Sequence, residues 1–202
     1  MKLYYTPGAC SMNPHIMLRE AGLKFELELV DLGAHKTAKG KDFYSVNPKG
    51  YVPALELDNG QVLTENPAIV QYIADQKPET KLAPANGTLE RYRLQEWLGF
   101  IGTEIHKGYG PLWNPNVSEA DKKATFDRLT KRFEFINKSL EGKQYLMGDH
   151  FTAPDAYVFV MLQWAQHHKL DLSRFANLKA YGERIAARPA VKATLEAEFG
   201  KQ

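Results

Sequence analysis

The residues best suited to chemistry are the single cysteine, Cys10, and a histidine far along the chain, His106. Cys10 lies between a strand pattern over residues 1–5 and a helix pattern that begins at Ser11 and has Pro14 in its first turn. The first N–H groups of a helix lack intrahelical partners, and with the helix dipole they favour a thiolate over a thiol. A lone cysteine is often only a small buried side chain, but the polar turn around Cys10 favours a reactive thiol near the surface.

His106 lies in a predicted helix, on a face that adjoins the buried one and that also carries Thr103 and Lys107. Its imidazole could donate a hydrogen bond to a thiolate or move a proton near neutral pH. A solvated polar face would produce the same pattern, and the residues alone leave both interpretations open.

Two patterns in the first seventy residues could hold a ligand. The helix opened by Glu65, Asn66 and Pro67 could bind a carboxylate with its N–H groups while Glu65 accepts from an ammonium, although a plain helix cap explains the same residues. A cis peptide between Val52 and Pro53 would present the Val52 backbone as an edge for an extended peptide. A trans proline at the start of an edge strand is the alternative.

Composition excludes several classes of function. The formal charge of the 202 residues is only +2 and the basic residues are scattered, so we expect neither nucleic acid nor a membrane as a partner. No apolar stretch approaches the ~20 residues that span a bilayer and no signal peptide is visible, so a cytoplasmic location is expected. One cysteine excludes an internal disulfide, and the histidines lack metal-ligand spacing, so no metal is expected.

The hydrophobic periodicity predicts an α/β domain followed by an all-helical one. Residues 1–77 show the order βαβ and then ββα, with a loop over residues 33–41 and an Asn59-Gly60 hairpin turn. Residues 78–86 form a linker, and residues 87–202 contain two amphipathic helices and an apolar helix near residues 156–164. Thr152 and Asp155 form a capping box for the apolar helix, which we interpret as a folding device.

Several short segments occur in a characteristic order: residues 2–5 with 7–11, 46–50 with 52–55, 63–65, 104–107, and 148–149 with 151–157. Together they resemble the bacterial beta-class glutathione S-transferases over nearly the whole chain. The resemblance implies a thioredoxin-like domain with a mixed sheet that binds glutathione as co-substrate. It also implies an all-helical domain with a pocket for a small hydrophobic electrophile, such as a halogenated aromatic compound, and a homodimer.

The resemblance implies roles for individual residues as well. Catalysis falls to Cys10, which faces the glutathione sulfur, and to His106. The implied glutathione contacts are Tyr5, Cys10, Ser11, His35, Val52, Glu65, Asn66, Thr103 and His106. The implied pocket for the second substrate includes Tyr109, Trp113 and Trp164. Thr103 corresponds to a position that approaches the glutathione of the partner subunit.

The sequence departs from the family pattern at three positions, and two other functions stay open. His35 stands where a lysine is usual and is followed by Lys36, Gly99 replaces an asparagine, and Asn66 replaces a serine or glycine. In one alternative, Cys10 forms a mixed disulfide with glutathione and the protein is an oxidoreductase or peroxidase. In the other, the protein binds apolar ligands without catalysis.

We predict that His35 contacts the glycyl carboxylate of glutathione and that affinity therefore weakens as pH rises, because only the imidazolium carries a charge. Affinity measured between about pH 5.5 and 8 for wild type, His35→Ala and Lys36→Ala tests this prediction. A flat wild-type curve together with a larger loss for Lys36→Ala would assign the contact to Lys36, and two silent substitutions would mean a solvated loop.

Overall fold

The computed structural model describes residues 1–200, and its contacts divide the chain into two units. The first unit comprises Met1–Ala83 together with the chain from Arg188 onward, and the second comprises Pro84–Ala187. The sequence pattern placed all of residues 87–202 in the helical domain, whereas the contacts group the last helix with the first unit. The final two residues of that predicted domain lie outside the described residues.

Within residues 1–200, the first unit contains a five-stranded mixed sheet in the order β3-β2-β1-β4-β5. Its strands are β1 (Lys2–Tyr5), β2 (Glu26–Asp31), β3 (Lys36–Thr37), β4 (Ala54–Glu56) and β5 (Val62–Thr64). β1 pairs in parallel with β2 and antiparallel with β4. Helix α1 (Met12–Glu20) follows β1, and helix α2 (Asn66–Asp75) follows β5. The predicted thioredoxin-like arrangement is confirmed.

Two local predictions in this unit need correction. The predicted loop over residues 33–41 contains β3, because Asp31 Oδ1 accepts the backbone N–H of Gly33 at 2.8 Å and turns the chain back beside β2. The Leu57 N–H donates to the Gln61 carbonyl at 2.8 Å and closes the hairpin, so the loop has three residues, 58–60, instead of two. Gly60 adopts φ 81° and donates its N–H to the Leu57 carbonyl at 2.9 Å, a turn and bulge that suit glycine.

Helix α7 (Pro189–Phe199) packs against α1 and brings a buried carboxylate to the turn before Cys10. Glu198 accepts the Gly8 backbone N–H at 2.9 Å through one oxygen, and its other oxygen lies 2.8 Å from His15 Nδ1. Arg19 Nε donates to His15 Nε2 at 3.1 Å, so the proton of the imidazole belongs on Nδ1 and points at Glu198. Gly8 has φ 73°, a conformation that favours glycine.

The second unit is helical. It contains α3 (Leu89–Phe100), a π-helix (Ile101–His106), a 3-10 helix (Lys107–Trp113), α4 (Glu119–Ser139), α5 (Ala153–His167) and α6 (Ala176–Ala186). Its centre is α5, which is buried on nearly every side from Ala153 to Met161, as the sequence predicts. The predicted capping box at Thr152 and Asp155 is present. In the described part of the chain, no helix has both the length and the apolarity needed to span a membrane.

We expect Glu198→Gln to lower the free energy of unfolding by about 1.5–3 kcal/mol, because a neutral amide replaces a buried carboxylate that accepts two hydrogen bonds. Urea denaturation followed by circular dichroism measures this change. Lys192→Gln, an exposed change on the same helix, is the control and should have little effect. Equal stability of the two variants would contradict the inferred role of Glu198.

Candidate functional site

Cys10 is partly buried at the start of α1, and its thiol donates to the backbone oxygen of Val52 at 3.3 Å. The sequence predicts that the first N–H groups of the helix lie free beside the sulfur, but two of them donate to backbone carbonyls instead. Met12 N–H donates to the Ala9 carbonyl at 3.0 Å, and Asn13 N–H donates to the Cys10 carbonyl at 3.2 Å. The N–H groups of Met12 and Asn13 are therefore paired with backbone carbonyls at the start of the helix.

Ser11 and Tyr5 lie on either side of Cys10 in the chain and have different roles, since Ser11 closes a turn and Tyr5 offers a hydroxyl donor. Ser11 is fully buried, and its hydroxyl lies 3.2 Å from both the N–H and the carbonyl oxygen of Thr6. Ser11 directly precedes α1, but its hydroxyl closes the turn and makes no capping hydrogen bond to the helix. Burial, with a smaller contribution from the negative charge of Glu198, raises the pKa of Tyr5 above its usual value, so its hydroxyl remains a donor.

Asn66 connects the starts of the two helices in the first unit. Its side chain is buried, donates from Nδ2 to the Cys10 carbonyl at 3.1 Å, and accepts from Asn13 Nδ2 at 3.0 Å. Helix α2 begins at Asn66, with Glu65 as the flanking residue before it. The amide is therefore committed to the protein, and only the backbone of Asn66 is suited to contact a ligand.

Glu65 holds its carboxylate toward the turn before Val52, in a backbone conformation with φ 72° that is rare for a residue other than glycine. Glu65 Oε1 accepts from Lys49 Nζ at 2.6 Å and from the Tyr51 hydroxyl at 2.8 Å. These hydrogen bonds raise the pKa of both Lys49 and Tyr51. Neither partner lies near Glu65 in the chain, so no local sequence pattern predicts these contacts.

His35 lies in a small cluster with Tyr44 and Gly50, and Gly50 is two residues before Val52. Its Nδ1 is 3.1 Å from the Gly50 carbonyl, its Nε2 is 3.3 Å from the Tyr44 hydroxyl, and its ring lies 4.6 Å from the Tyr44 ring. Both nitrogens thus have protein partners, with which a ligand carboxylate would compete. The peptide between Val52 and Pro53 is cis, the less common of the two alternatives that the sequence allowed.

Four of the predicted residues of the second unit lie together. The rings of His106, Tyr109 and Trp113 each contact Trp164 nearly edge to face, at 5.0, 5.5 and 5.0 Å between centroids. Trp113 is about half exposed, at 48%, whereas Tyr109 is buried and donates its hydroxyl to the Met161 carbonyl at 2.9 Å. Burial raises the pKa of Tyr109. We refer to these four residues as the aromatic cluster.

Tyr157, which is not among the predicted site residues, is a neighbour of this cluster. Its hydroxyl lies 2.5 Å from His106 Nδ1, and its side chain is buried in α5. The signal was a tyrosine in an otherwise apolar helix, since a buried hydroxyl needs a polar partner. His167 and His168 also lie beside the cluster. Their ring centroids are 5.7 and 4.5 Å from that of Trp113.

Thr103 does not join these residues through any side-chain hydrogen bond that we observe, and it donates to the Gly99 carbonyl at 3.0 Å within its own helix. Across residues 1–200, no group of three or more His, Cys, Asp or Glu side chains could hold a metal ion. The candidate residues of the first unit thus offer a thiol and a carboxylate, and those of the second unit offer an imidazole and aromatic rings.

Comparison with known proteins finds similar family models, sequences and solved structures. Two family models match, one described as the glutathione S-transferase N-terminal domain, over residues 8–76, and one as its C-terminal domain, over residues 100–189. Glutathione S-transferase GstA of Escherichia coli O157:H7 is 44% identical over 198 residues, which cover 98% of each chain. A sphingomonad glutathione S-transferase complexed with glutathione is 48% identical, with TM-score 0.95 over 98% of each chain. The bacterial beta class enzyme of Sphingomonas chungbukensis is 50% identical, with TM-score 0.95 over 100% of each chain.

Proposed function

Because the chain belongs to the glutathione S-transferase family and matches its bacterial beta class, we propose that it conjugates the glutathione thiolate to small hydrophobic electrophiles. The observation that carries this proposal is the grouping of Cys10, Val52 and Asn66 by hydrogen bonds, with Glu65 adjoining. These are the residues to which the resemblance assigns the sulfur, the cysteinyl backbone and the γ-glutamyl end of glutathione.

Binding of glutathione would exchange hydrogen bonds at Val52. The Val52 carbonyl now accepts from the Cys10 thiol at 3.3 Å, and it is the acceptor that the cysteinyl N–H of glutathione requires. Once that N–H takes the carbonyl, the Cys10 thiol can donate to the glutathione sulfur instead. A donor at the sulfur stabilises the thiolate that attacks the electrophile.

Glu65 is the proposed partner of the γ-glutamyl ammonium. A carboxylate beside a helix start can pair with the ammonium while the helix N-terminus attracts the α-carboxylate. Lys49 already lies 2.6 Å from Glu65 Oε1, so the incoming ammonium shares this carboxylate or displaces the lysine. Both side chains are about half exposed, and such a pair contributes little to stability, so displacement of Lys49 is inexpensive.

The aromatic cluster supports flat, apolar electrophiles as the second substrate. Trp164 is contacted edge to face by three rings, and Trp113 leaves about half of its surface exposed for a ligand. Aromatic walls bury planar rings well. For a halogenated aromatic compound, the thiolate forms a C–S bond and the halide leaves with the bonding electrons.

A redox function is the second candidate, favoured by the partial exposure of Cys10 and by the absence of any other cysteine from the sequence. The Cys10 thiolate would attack glutathione disulfide, form a mixed disulfide and release one glutathione thiolate. The third hypothesis, a binder without catalysis, has no observation in its favour.

We expect the purified protein to bind immobilised glutathione and to form a conjugate with a chlorodinitrobenzene. We expect Cys10→Ala to keep conjugation within about tenfold, since Tyr5 and His106 also provide donors, while losing any mixed disulfide. Absorbance of the conjugate and intact mass before and after reduction are the measurements. A panel of halogenated aromatics, epoxides and hydroperoxides then defines the electrophile. A protein that neither binds glutathione nor conjugates any of these compounds would exclude the proposed activity.

We further propose a homodimer that uses an aromatic patch on α3 and α4, formed by Trp97, Phe100 and Phe135. Their ring centroids lie 5.2 to 6.0 Å apart, and Phe135 is half exposed. Tyr92 and Leu89, also on α3, are exposed by 59% and 65%. An apolar surface of this kind is costly in water and suits a second copy of the chain.

Phe135→Lys should therefore convert a dimer to a monomer, because it places an ammonium in the apolar contact of both copies. Light scattering after size-exclusion chromatography gives the mass at several protein concentrations. Val62→Lys, a change of an exposed apolar residue on β5, should leave the mass unchanged. A monomeric wild type, or a Phe135→Lys variant that remains dimeric, would refute this interface.

A further inference from the structure

The imidazole of His106 is fixed from two sides by residues of α5. Tyr157 places its hydroxyl 2.5 Å from Nδ1 and its ring 5.7 Å from the imidazole centroid, at 83°. Trp164 contacts the imidazole at 5.0 Å and 82°. Tyr157 is only 1% exposed, so its hydroxyl cannot exchange this contact freely for water. The ring plane of His106 is therefore set by the packing of one helix.

The backbone at His106 is also unusual. His106 is the last residue of the π-helix Ile101–His106, which interrupts the helix begun by α3. π-helical turns are rare and occur frequently at functional sites, because the extra residue turns the following side chains to a new direction. Ile101 and Ile105 remain fully buried, and the adjacent His106 is directed at Tyr157.

We propose that Tyr157 is a positioning residue that donates its hydroxyl proton to His106 Nδ1 and thereby keeps the imidazole proton on Nε2. The inference rests on the proposed function, in which His106 donates to the glutathione sulfur. A neutral imidazole has one donor and one acceptor nitrogen, and the hydrogen bond at one nitrogen decides the state of the other. An acceptor at Nδ1 therefore makes Nε2–H the donor.

The direction of this hydrogen bond follows from the acidity of the two groups. A phenol O–H is a far stronger acid than the N–H of a neutral imidazole, and an imidazole nitrogen is a stronger base than a phenol oxygen. The pair is therefore matched as O–H donating to N. Edge-to-face packing by Tyr157 and Trp164 opposes a ring flip that would exchange the two nitrogens.

The consequence is a choice between two roles for His106. With its proton on Nε2 the imidazole can donate to a thiolate sulfur, but Nε2 cannot remove a proton from the thiol. Tyr157 thus selects the stabilising role over the basic role. No bond is formed or broken in this step, and no proton leaves either residue.

The tautomer can be observed directly. In the protein labelled with ¹⁵N-histidine, two-bond ¹H–¹⁵N correlation spectra distinguish Nε2–H from Nδ1–H, and the signals missing from His106→Gln identify His106. We expect wild type to show one tautomer, with the proton on Nε2, and Tyr157→Phe to show averaged shifts of the two nitrogens. A proton on Nδ1 of His106 in wild type would overturn the proposal, even if Tyr157→Phe does not fold.

Kinetics test the consequence. Tyr157→Phe should lower kcat for conjugation by about 2- to 10-fold while the Kd of glutathione stays nearly constant, because one net hydrogen bond positions the donor. Tyr181→Phe is the matched control, since it removes another buried hydroxyl of the second unit, one that donates to Asp155 at 2.8 Å. It should lower stability but change neither the His106 signals nor kcat.

Two outcomes separate this inference from the proposed function. If His106→Gln leaves conjugation unchanged, the role of His106 in the reaction fails even where the tautomer is as stated. If His106→Gln lowers kcat but Tyr157→Phe changes neither kcat nor the histidine signals, the reaction stands and the positioning role of Tyr157 is overturned.

Discussion

The position of Cys10 depends on one buried carboxylate, that of Glu198. In the turn before α1, the Gly8 N–H donates to Glu198 at 2.9 Å. The charge of this carboxylate is tolerated in the interior because His15 donates to it at 2.8 Å. Arg19 in turn donates to the other ring nitrogen of His15. Gly8 is suited to the position, since its φ is 73° and an added Cβ would lie 3.3 Å from the Phe199 ring.

Two further contacts complete the support of the sulfur from within the first unit. The Ser11 hydroxyl closes the turn onto Thr6, and the Asn66 amide holds the Cys10 carbonyl from the start of α2. Ser11 and Asn66 are both buried, so either hydrogen bond is costly to lose. By contrast, the exposed pair of Lys49 and Glu65 can rearrange at little cost. The part of the site that holds sulfur is rigid, and the part proposed to hold the charged end of the ligand can adapt.

Local patterns in the sequence were sufficient for most of the fold. Alternating residues indicated β2, and the capping box at Thr152 located the start of the apolar helix, because these signals depend only on neighbours in the chain. The contacts that the sequence did not predict are between residues far apart in the chain. They are Tyr157 with His106, Tyr51 with Glu65, and the last helix with the first unit. The two-residue strand β3 was missed since alternation cannot be recognised over two residues. Free N–H groups were expected beside the sulfur, but the Met12 and Asn13 N–H groups each donate to a carbonyl three residues earlier in the chain.

The hydrogen bond between Gly8 and Glu198 affects the order in which the protein can fold during translation. Glu198 follows Gly8 by 190 residues, and all of the second unit lies between them. At synthesis rates of about 5–20 residues per second, Glu198 is made on the order of 10–40 s after Gly8. During that interval the turn before Cys10 lacks its carboxylate while the helical unit is already complete. Domains usually fold from the N-terminus first, whereas here the unit that ribosomes start first is the last that can be finished.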